Sequence, residues 1–227
     1  MTSGIWTAST TTSLLCALVL WSTPPSRAAP PDATPGTPDA AALVGALKRA
    51  APARTAYTEV RFSGMLDRPL ILHGELEYLG PGKLGKRVDT PYKEQTTITD
   101  SSASVQRGDG APRLFSLAQA PELEGFLRGF SALLGGDAAT LQRDFQLSAS
   151  GSQAHWQLQL KPRDERLARR IRAIEVDGTR DTPRCFRTHE ADGDLGVLLV
   201  DTLADTKLTT RPSPAQLDAL CRGVDAK

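Results

Sequence analysis

Residues 53–89 read ARTAYTEVRFSGMLDRPLILHGELEYLGPGKLGKRVD. Two stretches of this segment alternate. In the first, Ala56, Thr58, Val60 and Phe62 fall on one face, and Tyr57, Glu59, Arg61 and Ser63 on the other. In the second, Leu70, Leu72, Leu76 and Tyr78 alternate with Ile71, His73, Glu75 and Glu77. Successive side chains of a strand point to opposite sides, so a period of two marks a sheet with one apolar and one polar face. Residues 64–67 turn between the two strands. Gly80-Pro81-Gly82 is the next turn, where Pro fixes φ and Gly accepts a positive one. A long antiparallel sheet with one apolar face requires a cover, and the rest of the chain must supply it.

Upstream, residues 38–50 read as a short helix with Leu43, Val44 and Leu47 on one side, stopped by Pro52. Downstream, residues 83–89 and 92–99 form the next pair of strands, broken at Thr90-Pro91. Residues 102–107 and 112–117 form a hairpin across Gly108-Asp109-Gly110. The period then changes. Within residues 121–134, Leu123, Phe126, Leu127, Phe130, Leu133 and Leu134 recur at helical spacing, giving one broad apolar stripe. Pro121 suits the first turn, and Gly135-Gly136 ends the helix. Asp137 caps a second short helix running to Arg143. A helix inserted in a meander cannot join the ladder, so it must lie across the sheet. Ordinary core packing is the bland explanation of such a stripe.

Strands resume at residues 145–150 and 154–160, around Gly151-Ser152, with Trp156, Leu158 and Leu160 alternating with polar neighbours. A charged connector, residues 163–170, leads to strands at 171–177, 184–190 and 195–200. Residues 203–209 are a candidate last strand. Ser213 caps a final helix, residues 214–221, with Pro214 at its first position.

The first residues read as a targeting signal. Leu14 to Trp21 is an apolar run of eight, too short for a bilayer, and Ser26-Arg27-Ala28 resembles a cleavage site. Residues 1–29 are therefore expected to be a signal peptide, residues 30–38 a Pro- and Ala-rich disordered leader, and residues 39–227 a single domain. Lipidation at Cys16 is disfavoured, because Leu15 stands where lipoprotein processing needs a small residue. The 27 basic residues balance 26 acidic ones and are interleaved with them, which argues against a nucleic-acid partner. Cys185 and Cys221 are the two cysteines left after cleavage, which points to one disulfide in an exported chain; two buried free thiols are the alternative.

Three ordered motifs carry a family resemblance. They are Tyr57-Thr58-Glu59-Val60-Arg61, Gly74-Glu75-Leu76-Glu77-Tyr78, and the Pro81-Gly82-Lys83-Leu84 turn. With the element order over residues 39 to 210, they resemble the periplasmic outer-membrane lipoprotein carriers, the LolA-like proteins. The resemblance implies a mainly β fold with α: an unclosed antiparallel half-barrel of about ten or eleven strands, with a helical lid and terminal helices. It also implies a soluble, monomeric periplasmic carrier without catalytic residues or cofactors. The implied cargo is an acylated lipoprotein or glycolipid, received from an inner-membrane export complex and passed to an outer-membrane acceptor. The expected cavity floor draws Val60, Phe62, Leu72 and Leu76 from the first hairpin. Tyr78, Leu84, Trp156 and Leu158 complete it. The stripe of residues 121–134 is the expected lid. This chain departs from the family at Gly80, where carriers commonly place an Arg that helps close the lid, and at Lys86 and Arg87, near where a Trp is frequent. The stretches 66–70, 184–185 and 191–194 suggest a divergent branch.

Enzymatic alternatives are weaker. His73, His155 and His189 lie on separate strands without metal-ligand spacing. Glu75 and Glu77 share a face and are best read as solvated. No Gly-x-Ser-x-Gly elbow or phosphate-cradling loop is present. A periplasmic lipoprotein sensor is the remaining alternative. Sensors of related fold carry a second domain, for which about 190 mature residues leave no room.

Overall fold

The computed structural model describes residues 38–99, 101–119 and 121–223, without the side chains of residues 121–123, 125 and 126. The expected signal peptide, Cys16 and nearly all of the expected leader lie outside the described residues.

Helix α1 (Ala40–Ala46) starts at Asp39, whose carboxylate accepts from the Ala42 N–H at 2.7 Å. Six strands follow: β1 (Ala53–Phe62), β2 (Leu70–Gly80), β3 (Lys83–Thr90), β4 (Glu94–Ile98), β5 (Ser102–Arg107) and β6 (Arg113–Ser116). Helices α2 (Pro121–Gly135) and α3 (Ala138–Asp144) come next, then β7 (Phe145–Gly151) and β8 (Trp156–Pro162). The charged connector contains a one-turn helix, α4 (Glu165–Ala168), capped by Asp164. Strands β9 (Ile171–Thr179), β10 (Thr182–Glu190) and β11 (Leu195–Val200) lead to helix α5 (Pro214–Arg222). A capping box between Ser213 and Gln216 starts α5, and Gly223, at φ 68°, ends it.

All 11 strands form one antiparallel sheet, ordered β6-β5-β4-β3-β2-β1-β11-β10-β9-β8-β7. The chain therefore meanders outward from β1 to one edge, crosses to the other edge, and meanders back until β11 pairs with β1. Among the described residues β6 and β7 pair on one side only, so the sheet is unclosed. The crossing segment is α2 and α3. Topology alone thus places these helices between the two free edges, as the helical spacing inside a β meander requires.

The candidate strand at residues 203–209 is not formed. A single 3-10 turn, Asp201–Leu203, follows β11 instead. The reason is the ladder itself: β11 already has β1 and β10 on its two sides, and the chain must leave the sheet after Val200.

Two cores flank the sheet. The larger joins α1, α2, α3 and α4 to one face, with Leu43, Val44, Leu133, Leu141 and Phe145 among its buried side chains. The smaller lies on the other face beneath α5 and contains Val60, Cys185, Leu199, Leu217 and Cys221. Cys185 and Cys221 are joined in a disulfide, with Cα atoms 5.5 Å apart, which fixes α5 to β10.

Candidate functional site

Register decides which side chains share the helix-covered face. Leu72 lies opposite Glu59, Gly74 opposite Tyr57, Leu76 opposite Lys86, and Tyr78 opposite Leu84. On the returning strands Trp156 lies opposite Gly178 and Leu158 opposite Val176. Leu72, Leu76, Trp156 and Leu158 belong to the larger core, and Tyr78 and Leu84 follow from the pairing. Six of the eight residues expected at the floor thus lie on one face.

Val60 and Phe62 do not. Val60 pairs with Ile71 and Val197, and it packs with Phe62 in the smaller core on the opposite face. The alternation of β1 alone predicts its apolar set, Val60 and Phe62, on the inner face. Its helix-facing set is the polar one: Tyr57, Glu59 and Arg61. Both faces of β1 are covered, so residues 57 to 60 are all buried and alternation no longer distinguishes inside from outside.

Helix α2 lies over this face. Leu133 is buried, Leu127 and Leu134 are half-buried, and the Phe130 ring sits 5.6 Å from that of Phe186 on β10. The side chains of Leu123 and Phe126 lie outside the described residues. Three features seat the helix. The backbone N–H of Gly82 donates to Ser131 Oγ at 2.8 Å. The Arg49 N–H donates to the Leu134 carbonyl at 2.9 Å. Arg128 donates to both carboxylate oxygens of Asp144 at 3.0 Å, a fork that ties α2 to the end of α3. Gly129 completes the fit: a Cβ there would come within 2.3 Å of the Phe145 ring, so only glycine allows this approach to β7. The turn that carries Gly80 in place of an arginine is therefore tied to the helix through Gly82 and Ser131.

The same face carries a charged group. Glu59, 9% exposed, accepts from Arg61 Nε at 2.6 Å through Oε1 and from Lys86 Nζ through Oε2. The Lys86 ammonium also stands over the Tyr57 ring, 5.2 Å from its centre. Tyr57 extends across the bare Gly74 and donates its hydroxyl to the Arg87 carbonyl at 3.1 Å. Burial opposes ionisation of Glu59, yet Lys86 and Arg61 outweigh it and hold the carboxyl below its ordinary range. Burial, with Glu59 adding to it, pushes the Tyr57 phenol up.

A family model described as outer membrane lipoprotein carrier protein LolA-like matches residues 29–224. The chain belongs to this LolA-like family. No curated protein matches it. Similar solved structures include a LolA superfamily protein from Nitrosomonas europaea, at 9% identity and TM-score 0.37, covering 74% of this chain and 92% of that one. LprF from Mycobacterium bovis is 11% identical with TM-score 0.32, covering 78% and 93%. The MucA/MucB complex of Pseudomonas aeruginosa gives 15% identity and TM-score 0.38, covering 79% of this chain and 60% of the matched one. Membership rests on the family match and not on these distant likenesses.

In this LolA-like chain the outer face carries, beside the smaller apolar core, a network of ion pairs and hydrogen bonds. Arg187, buried, donates to Asp177 at 2.6 Å and to Asp218 of α5, and lies 3.3 Å from Glu175. His189 pairs with that same Glu175 at 3.2 Å, and His73 with Thr58 at 2.7 Å. His155 lies in the turn before β8. Glu75 and Glu77 face Arg54, with Glu77 at 3.1 Å. Among the described residues, no three His, Cys, Asp or Glu converge as a metal site, and no helix is long and apolar enough to cross a membrane.

Sequence reasoning gave no place in the site to Tyr57, Lys86, Gly129, Ser131 or Phe186. Ser131 had a faint signal as a polar residue beside Phe130 in the apolar helix. Its partner is a backbone N–H, which leaves no trace in composition. Tyr57 and Lys86 come together only through the register of three strands.

Proposed function

We propose that the protein is a periplasmic carrier that holds the acyl chain of a lipoprotein or glycolipid between α2 and the sheet, and passes it toward the outer membrane without catalysis. One observation carries this reading. Helix α2, with α3, bridges the two free edges of an open sheet, and apolar side chains on both sides of the contact, Phe130 of the helix and Leu76 and Leu198 of the sheet, are only partly buried. The helix is seated by a few hydrogen bonds and by packing, so its displacement costs local free energy and not the whole fold.

The energetics suit a carrier. Burying a 16-carbon chain contributes on the order of 10 kcal/mol at about 0.8 kcal/mol per CH₂. Release then requires a second apolar site on an acceptor, and no bond need be made or broken. An inner-membrane export complex as donor and an outer-membrane protein as acceptor fit this exchange. The test is mass spectrometry of the organic extract of protein isolated from its native periplasm. An acyl-bearing molecule near one per protein supports the carrier, whereas an extract without one speaks against it.

A further inference from the structure

Charge buried on a face meant for hydrocarbon needs a reason. Removing charged groups from water costs more than a surface ion pair returns, and apolar residues at these positions would pack as well. Glu59, Arg61 and Lys86 nonetheless sit on the helix-covered face, with Leu72 and Leu198 opposite Glu59 and Leu70 opposite Arg61. Two cations contact one carboxylate, which leaves an excess of positive charge.

The hydrogen bonding is also unfinished. Arg61 uses Nε toward Glu59, and among the described residues neither of its terminal nitrogens has a hydrogen-bond partner. Its side chain is 52% exposed, and that of Lys86 27%. Beyond Glu59, the Tyr92 phenol and then Glu190 are the acidic groups whose fields reach Arg61. Burial, reinforced by Asp192 and Asp194, pushes the Glu190 carboxyl up. The cluster also has a defined place. Arg61 pairs with Leu70 at one end of β2, and Ser131 of α2 ties to Gly82, past the other end. An elongated amphiphile lying along β2 would meet apolar side chains toward Tyr78 and Leu84, and the cations toward Leu70.

We propose that Arg61 and Lys86, oriented by Glu59, form a headgroup site for an anionic amphiphile, one bearing a carboxylate or phosphate. This rests on the carrier reading and narrows its cargo. A guanidinium fork with two unengaged terminal nitrogens matches either anion, and an ammonium adds a point charge.

The test compares four probes with the same 16-carbon chain: hexadecanoate, hexadecyl phosphate, hexadecanol and hexadecyltrimethylammonium. Binding to the mature protein is measured at low and high salt, for wild type, Arg61→Gln and Lys86→Gln. The expected result is a preference of about tenfold for one or both anions over hexadecanol, shrinking with salt. Each variant should reduce that preference, with thermal unfolding confirming that it is folded. The ratio between hexadecanoate and hexadecyl phosphate tells a carboxylate site from a phosphate site. Equal affinity for all four probes in wild type, or an unchanged preference in both folded variants, overturns the headgroup site while leaving the carrier intact. Absence of binding by every probe overturns the carrier and the headgroup site with it.

Discussion

The Gly82 N–H and Ser131 Oγ are 2.8 Å apart, and they join the β2–β3 turn to the helix that lies over the sheet. Ser131 is buried and Gly82 half-buried, and the hydroxyl and this backbone N–H satisfy one another. Ser131→Ala should lower stability by about 1 kcal/mol, or roughly 2–4 °C in Tm. It should also speed uptake of a fluorescent acyl probe, because a tie that holds the helix down is lost. Thermal unfolding with stopped-flow uptake checks both. An unchanged uptake rate would make Ser131 structural only.

Gly129→Ala sets two effects against each other. Helix propensity favours alanine by about 1 kcal/mol. The added Cβ would stand 2.3 Å from Phe145, which is 1% exposed and cannot move aside cheaply. Overpacking should win, and Tm should fall. The double variant Gly129→Ala, Phe145→Leu should recover part of the loss. A Gly129→Ala protein with higher Tm than wild type would contradict this seating of α2.

The Cys185–Cys221 bond spans a sequence separation of 36. The chain-entropy model assigns such a loop about 3–4 kcal/mol. Cys185→Ser with Cys221→Ser should lose stability of that order, seen in urea unfolding. Thiol titration of denatured, unreduced wild-type protein should find no free thiol at either position.

Glu59 gives a pH-dependent prediction. Its folded-state pKa lies below the ordinary 4.5, because Lys86 and Arg61 outweigh the opposing effect of burial. A depressed carboxylate pKa contributes stability that is present above 4.5 and is lost as pH falls through the folded value. Glu59→Gln should therefore cost about 1.5–3 kcal/mol at pH 7, and the gap from wild type should narrow below pH 4.5. Urea unfolding of both proteins at pH 7 and pH 3 measures it. A gap independent of pH would show that Glu59 matters by shape alone.

Much of the fold was legible because its elements are locally consistent. The hairpins around residues 64–67, 81–82 and 108–110 follow from turn residues between alternating runs, and the stripe of α2 follows from a period of 3.6. The facing of β1 was not legible. Val60 is apolar because α5 and the disulfide cover the outer face, and Tyr57 and Glu59 are buried by helices on the other. A strand covered on both sides carries no marker of which side is which. The site suffers likewise: Glu59 and Lys86 lie 27 positions apart, and only the pairing of β1, β2 and β3 brings them together.

The most direct measurement is titration of delipidated mature protein with a fluorescent 16-carbon acyl probe, in wild type and in Phe130→Ala. A carrier gives saturable binding near one probe per chain, with the probe emission shifted as it leaves water. Phe130 is half-buried against Phe186 under α2, so its truncation should change probe affinity while costing less than the roughly 3–5 kcal/mol of a packed core phenylalanine. A folded wild-type protein that takes up no probe, beside a Phe130→Ala variant that loses the full core cost, would make α2 ordinary core and contradict the carrier.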